Sequence, residues 1–362
     1  MTDNDLFNAI QTVKHVWRHR KGQEIPAAVQ DTIDQLWRDL KPLITKRIKQ
    51  DTGWMFIIHL PPGIAYRDFR AKENYFADAT GGATLIQKRG KAVSLMVMTE
   101  ELKSSYPFES CEGDVCLPVH FGHSAAGEII ADLADMPNLM IAGHPGSGKS
   151  NFLHTLAVSL LMTRDILLAI IDLKKLEFSY LRDNALIVTD LSDTRRLLQA
   201  MNREINRRLD ILEDAGVVKI QDYQGDMPFI VLIVDELAEM QDDVCQDELN
   251  RIVRLGRAPG VCVVAATQRP SSTMFKKFGD SKAMFSGTMC FHVRDEVNSR
   301  MLLDNDRASL IPNIPGRAVY QWDRELEVQT MFLPVKQARE IVRGLDKGVM
   351  FNVEPCKRLP AR

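Results

Sequence analysis

Long hydrophobic runs are missing from this 362-residue chain: nowhere do apolar residues continue for the roughly 18 positions that a membrane-spanning helix needs. The opening MTDNDLFNAIQTVKHVWRHR mixes charged and apolar residues and lacks the apolar centre of a signal peptide. These absences lead us to expect a cytoplasmic protein without an integral membrane segment. One-signed charge is missing as well. With 46 Lys and Arg against 48 Asp and Glu the formal net charge is -2, which excludes a histone-like tail and permits a local basic surface. Cysteine is sparse. Cys111 and Cys116 have no second pair at zinc-finger spacing, Cys245 and Cys356 stand alone, and Cys262 and Cys290 fall in apolar runs where a reduced thiol serves as a small hydrophobe. No internal repeat or low-complexity segment stands out.

What is there changes character along the chain. Residues 1–50 read as helices: Leu6, Ile10, Val13 and Trp17 recur at helical spacing, as do Val29, Ile33, Trp37 and Leu40. Basic residues cluster here, at Lys14, Arg18, Arg20, Lys21, Lys41, Lys46, Arg47 and Lys49, a pattern that suits a solvated helix face or a nucleic-acid contact. Residues 51–102 read as a small β-α-β-β domain running from WMFIIHL through YRDFRAKENYFADA to ATLIQKR and AVSLMVM. Residues 103–125, with two prolines and no clear period, read as a linker. Residues 126–340 then alternate strand with helix. Apolar runs at 139–142, 166–171, 229–234, 261–266 and 288–293 predict parallel strands buried on both faces, and Leu197, Met201, Ile205, Leu209 and Leu212 mark one face of a long helix. RAVYQ and LEVQTMF, either side of Trp322 and Asp323, read as a hairpin, and 341–362 as a tail. The larger part is thus expected to be a doubly wound α/β sheet.

Its chemistry starts at IAGHPGSGKSN. Gly143 to Ser150 fits G-x-x-x-x-G-K-S, with the strand LMIA before it and the helix NFLHTLAVSLLM after it, the context the motif requires. Glycines at 143, 146 and 148 let successive backbone N–H groups surround phosphates, and the helix start adds its positive dipole end. The whole stretch Gly143, His144, Pro145, Gly146, Ser147, Gly148, Lys149, Ser150 and Asn151 is therefore the expected ATP cradle, although His144 and Pro145 have no role of their own. Lys149 is placed to reach the β- and γ-phosphates, and the Ser150 hydroxyl to ligate Mg2+. The strand FIVLIVDE ends in Asp235, the second expected Mg2+ contact, followed by Glu236, which suits a general base acting on water. That acid pair points to hydrolysis rather than to a small-molecule kinase or a switch GTPase. VCVVAATQRP ends in Thr267 and Gln268, where a polar side chain beside the two acids could sense a γ-phosphate.

Around these residues longer stretches resemble the FtsK/SpoIIIE-type double-stranded DNA translocases. GEIIADLADMPNLMIAGHPGSGKSN is similar to that family's entry into its motor domain. IIDLKKLEFSYL resembles its D-P-K-x-x-E-L-x-x-Y segment through Asp172, Lys174 and Glu177, with Leu173 where the family has proline. MNREINRRLDILEDAGVVKIQDYQ resembles its E-M-x-R-R helix and following turn through Glu204, Arg207, Arg208, Gly216 and Tyr223. LNRIVRLGRAPGVCVVAATQRP is close to its R-L-x-x-x-x-R-A-x-G-I-H-x-x-x-A-T-Q-R-P signature, and VNSRMLLD to its I-D-S-R-x-x-L-D. SLIPNIPGRAVY looks most like soluble relatives on conjugative elements and plasmids.

The resemblance implies a RecA-like, mostly parallel sheet preceded by a small α+β domain and N-terminal helices. It also implies an ATPase that forms a hexameric ring around double-stranded DNA, serving conjugative transfer or replication alongside relaxase, replication or transfer-channel proteins. Such a ring needs an arginine from a neighbouring subunit at the γ-phosphate. Arg257 is the first choice, with Arg300 and Arg254 behind it. DNA grip is expected from loops after the carboxyl ends of the strands, through Lys219, Lys276, Lys277 and Lys282, by phosphate contacts that carry no sequence preference. Without an N-terminal membrane region or room for a winged-helix module after the hairpin, a septum-anchored, sequence-oriented pump is not expected. The alternatives are a related ring ATPase that moves a protein, a replication helicase, and a nucleotide-gated adaptor with negligible turnover; the set Lys149, Asp235, Glu236 and Gln268 disfavours the last.

Overall fold

The computed structural model describes residues 25–50, 53–90, 92–98, 102–111, 115–125, 127–163, 166–175, 177–268, 270 and 284–345. The chain divides into two compact units, one of Met1–Leu102 with Ala125–Gly127 and one of Lys103–Ser124 with Glu128–Arg362. No helix among the described residues is long and apolar enough to cross a membrane.

The first unit is a four-stranded antiparallel sheet in the order β1-β2-β4-β3, built from β1 (Leu43–Gln50), β2 (Gly53–His59), β3 (Ala83–Arg89) and β4 (Ala92–Met98). Helix α1 (residues 25–36) buries Ile25, Val29 and Ile33, four apart and so on one face. Two short helices, α2 (Tyr66–Arg70) and α3 (Glu73–Thr80), replace the single helix expected there and bury Phe69 and Phe76. Trp37 stacks on Phe69 at 5.1 Å. The helical reading of residues 1–50 fails after Leu36, where α1 ends, and Leu43–Gln50 is a strand paired from Leu43↔His59 to Gln50↔Gly53. The helical spacing read through Trp37 and Leu40 outruns the helix, and the exposed Lys46, Arg47 and Lys49 suit an edge strand, where charge discourages further pairing. Leu6, Ile10, Val13 and Trp17 lie outside the described residues.

The second unit is organised by a ten-stranded sheet in the order β10-β9-β11-β12-β8-β13-β14-β15-β6-β7. The six strands β10 (Leu186–Val188), β9 (Ile166–Ile171), β11 (Phe229–Val234), β12 (Val261–Thr267), β8 (Asn138–Ala142) and β13 (Gly287–Phe291) run parallel. Each of the longer ones is a nearly unbroken apolar run, as a strand covered on both faces must be. Antiparallel strands β14 (Arg317–Gln321) and β15 (Glu325–Gln329) form the expected hairpin, and β6 (Pro118–Ser124) and β7 (Gly127–Asp132) extend the sheet to its edge. Helix α4 (Lys149–Thr163) follows β8. Helix α5 (Leu191–Asp214), capped by the Asp190 carboxylate on the Asp193 N–H, buries Leu197, Met201, Ile205 and Leu212 on the face predicted from spacing. Helix α6 (Asp243–Leu255) packs beside it, and α7 (Glu296–Leu303), α8 (Arg307–Leu310) and α9 (Val335–Arg343) follow β13 and β15.

Residues 103–125 are not a linker. They supply β6 and the short β5 (Tyr106–Pro107), which pairs in parallel with β16 (Met331–Phe332). Pattern reading missed β6 because Gly122, at φ 128, interrupts its alternation.

Candidate functional site

The loop after β8 and the acids after β11 meet because β12 lies between those two strands in register, with Val234 opposite Ala265 and Thr267 opposite Ala142. The carboxyl ends of β8, β12 and β11 therefore present Gly143, Gln268 and Asp235–Glu236 side by side, at the edge where an open α/β sheet binds its ligands.

Lys149, first residue of α4, is buried and donates from Nζ to the Asp235 carbonyl at 2.9 Å and to Asp235 Oδ1 at 3.2 Å. Burial pushes the Asp235 carboxyl up in pKa, against the pull of the Lys149 ammonium. Glu236 is buried beside it. Both its oxygens accept the Gln268 N–H, at 3.0 and 3.1 Å, and Oε2 is 3.2 Å from Lys174 Nζ. Gln268 thus touches the acid through its backbone, an interaction that side-chain chemistry does not predict. Lys174 comes from the turn after β9. Asp172 organises that turn by accepting the N–H groups of Lys175 at 2.9 Å and Glu177 at 3.1 Å, and Lys175 adopts φ 66, rare for a residue with a side chain. Glu177 reaches back to His154 Nε2 on α4 at 3.4 Å, and that hydrogen bond holds its carboxyl below the usual range. His154 Nδ1 is 2.9 Å from the Tyr180 hydroxyl.

The phosphate loop rests on the SLIPNIPGRAVY segment, to which the sequence assigned no chemistry. Gly316 donates to the Ser147 carbonyl at 2.8 Å, and His144 Nε2 is hydrogen-bonded to Asn313 Oδ1 at 3.1 Å, which supplies the role that His144 lacked. Gly148, at φ 102, has no room for a Cβ, which would collide with the Gly316 backbone. Asn151 differs from expectation: its side chain is committed to the backbone of Leu333, donating to the carbonyl at 2.7 Å and accepting the N–H at 3.3 Å. Ser150 is half-buried in the first turn of α4, and Pro145 lies at the exposed tip of the loop.

The loop fits a triphosphate on two observations. The Ser147 hydroxyl is buried without a hydrogen-bond partner, and a Cβ added at Gly146, at φ 83, would meet nothing within 4 Å, so the tip is open to an incoming group.

Other predicted residues are not gathered here. Lys219 precedes β11, at the amino ends of the strands, opposite to the expectation; it is exposed and 3.9 Å from Asp222. Arg257 precedes β12 at that same end. The two loops are tied together by the Ile220 N–H on the Ala258 carbonyl at 2.9 Å. Arg254 and Arg257 are exposed, while Arg300 is paired on α7 with Glu296 at 3.1 Å. Lys276, Lys277 and Lys282 lie outside the described residues. Arg208, read above only as part of a helix resemblance, proves to be fully buried. Its Nε donates to Glu204 at 2.8 Å and its Nη1 to the Pro259 carbonyl at 3.0 Å, fixing the loop that carries Arg257. The one signal in the sequence was the adjacent pair Arg207–Arg208, of which only the second is buried.

Residues 101–229 match the model of the FtsK/SpoIIIE family. Among curated relatives, a DNA translocase FtsK from Chlorobaculum tepidum is 30% identical over 287 residues, covering 69% of this chain and 35% of that protein. Its counterpart from Chlamydia trachomatis serovar D is 35% identical over 274 residues, covering 68% and 33%. The chain spans about a third of the length of these relatives. Among solved structures, the pCW3 conjugation coupling protein TcpA, in a monomer form with ATPγS, aligns with TM-score 0.64 and 19% identity over 88% of this chain and 99% of that one. The cytoplasmic domain of the type VII secretion ATPase EccC from Thermomonospora curvata aligns with TM-score 0.59 and 22% identity over 70% of this chain and 34% of that one. These two likenesses are of fold.

Proposed function

Because the chain carries an ATPase domain of the FtsK/SpoIIIE family, we propose that it is an ATP-driven translocase of double-stranded DNA, working as a hexameric ring on mobile-element or plasmid DNA in conjugative transfer or replication. The observation that carries the hydrolytic half of this reading is the buried row Lys149–Asp235–Glu236, with Glu236 held by the Gln268 N–H and by Lys174.

Each side chain has work that its position suits. Backbone N–H groups from Gly146 to Ser150 bind the phosphates, and Lys149 moves from Asp235 onto them, exchanging one anionic partner for another. Ser150 and the freed Asp235 hold Mg2+, which supplies charge neutralisation across the phosphates when bound. Glu236 orients the attacking water and takes its proton at a carboxylate oxygen. The Gln268 N–H and Lys174 keep that carboxylate in one orientation. Because Gln268 follows β12, a shift of that strand end alters the grip on Glu236, a direct route from nucleotide state to strand position. Arg257 stands at the far end of its own sheet, so it serves the γ-phosphate of a neighbouring subunit and not its own. Double-stranded DNA is held by phosphate contacts from Lys276, Lys277 and Lys282.

ATP turnover with no DNA, with single-stranded DNA and with duplex tests the proposal. Duplex is expected to stimulate most, and displacement of a third strand from a triplex is expected to accompany it. Turnover indifferent to duplex but raised by a protein substrate would replace this reading with that of a protein-moving ATPase.

A further inference from the structure

A second group of metal-binding side chains lies away from the nucleotide loop, on β6 and β7. His120 and His123 both belong to β6, where regular alternation would send residues three apart to opposite faces. Gly122 removes that alternation. Its φ of 128 is open to glycine alone, and a Cβ there would run into the Gln329 carbonyl, so the strand is locally twisted at a residue pressed against β15. The two imidazoles are consequently brought edge to face, with ring centroids 5.0 Å apart. Glu128, on β7, closes the group with His120 Nε2 at 4.0 Å from its Oε2, and the ligand atoms of all three residues lie within 4.8 Å of one another.

Two further observations mark a site rather than a chance cluster. The His120 side chain is only 6% exposed, and its Nε2, facing Glu128, has no hydrogen-bond partner. A buried ring nitrogen of that kind is costly unless something binds it. The His123 ring is stacked at 3.8 Å on Tyr106, which holds the orientation of a second ligand as outer-shell packing does in metal sites. Glu128, 53% exposed, leaves the group open to water on one side.

We propose that His120, His123 and Glu128 form a divalent transition-metal site, best suited to zinc, that pins β6 to β7 at the edge of the ATPase sheet. Two neutral imidazoles and one carboxylate are a donor set zinc favours, and water supplies the fourth position. Tetrahedral ligation needs donor atoms about 3.4 Å apart, given zinc bonds of 2.0–2.2 Å, so small side-chain rotations complete the geometry. This inference does not rest on the proposed function.

The test uses the full chain, untagged, stripped of metal and free of nucleotide. Zn2+ titrated by calorimetry is expected to bind with one equivalent, and Co2+ to give the visible absorption of a tetrahedral site that Zn2+ then abolishes. His123→Ala and Glu128→Gln are each expected to weaken Zn2+ binding by at least about tenfold. Glu128→Gln alters an exposed side chain and serves as the variant that keeps the fold. Asp235→Asn, at the nucleotide site, is expected to leave the zinc stoichiometry unchanged. Absence of stoichiometric binding, binding unaffected by His123→Ala and Glu128→Gln, or loss of binding in Asp235→Asn would each overturn the proposal.

Discussion

Among the described residues the four-stranded unit buries Thr32, Thr80 and Ser94 as its polar residues, all uncharged, while the ten-stranded unit buries Lys149, Asp172, Arg208, Asp235, Glu236 and Arg317. The first unit rests on Phe56, Phe69, Phe76 and Leu95, each completely buried, with Trp37 stacked on Phe69. Its rings pack, and no charged residue among those described is buried in it. In the second unit every one of those six buried charges has a partner: Lys149 with Asp235, Glu236 with Lys174, Arg208 with Glu204, Arg317 with Glu327, and Asp172 with the N–H groups of its own turn. Buried ion pairs are a weak source of stability, because desolvation offsets attraction. Their concentration at the carboxyl ends of three parallel strands therefore indicates chemistry. Arg208 and Arg317 are the exceptions: Arg208 is buried at the other end, where it holds a loop, and Arg317, on β14, ties that strand to Glu327 and Gln329 of β15.

Three substitutions would break or sharpen this contrast. The largest effect belongs to the second unit and should leave its fold alone: Glu236→Gln is expected to lower the kcat for ATP by about 10²–10⁴-fold while nucleotide still binds, as measured by turnover beside equilibrium binding. Normal turnover would remove Glu236 from the role of base. Next comes the aromatic core of the first unit. Phe69→Ala should cost about 3–5 kcal/mol, read as a lowered denaturation midpoint, because a completely buried ring leaves a cavity among Trp37 and Phe76. A shift near zero would mean that this core is not what holds the unit together.

The smallest expected effect separates structural from chemical charge within the second unit. Arg208→Met should cost about 3 kcal/mol by leaving Glu204 and the Pro259 carbonyl without their donor, yet it touches no residue of the nucleotide loop. Its signature is in pH. Hydrogen bonds from Arg207 and then Arg208 hold the Glu204 carboxyl below its ordinary range. A carboxyl depressed in the folded state contributes stability above its unfolded pKa and loses it as pH falls through the folded value. The parent should therefore lose stability in that acidic window, and Arg208→Met should lose less there, because part of the contribution is already gone. Equal acid sensitivity in the two would show that Arg207 alone depresses Glu204.

Several elements were legible without coordinates. The runs LMIA, ILLAII, FIVLIV and VCVVAA are strands β8, β9, β11 and β12, because a strand buried on both faces has no polar positions to disguise it. The phosphate loop was legible because its glycines answer a local backbone demand. Strands β1, β6 and β10 were not. The first is a charged edge strand, the second is interrupted at Gly122, and the third is three residues long. Asn151 was read with the nucleotide because it adjoins the loop, but a side chain can commit to a distant segment, here Leu333, and nothing local announces it.

By itself, then, the sequence determined which residue types sit at which strand ends: a lysine after the glycine loop, two acids after FIVLIV, a glutamine after VCVVAAT. Patterns of that kind depend on neighbours within a turn or a strand. Only the tertiary structure decided which of them touch. Lys149 and Asp235 are 86 residues apart, and Glu236 and Gln268 are 32 apart. Their contacts exist because β12 inserts between β8 and β11 in one register, an arrangement that packing on both faces of the sheet selects and that no local pattern encodes.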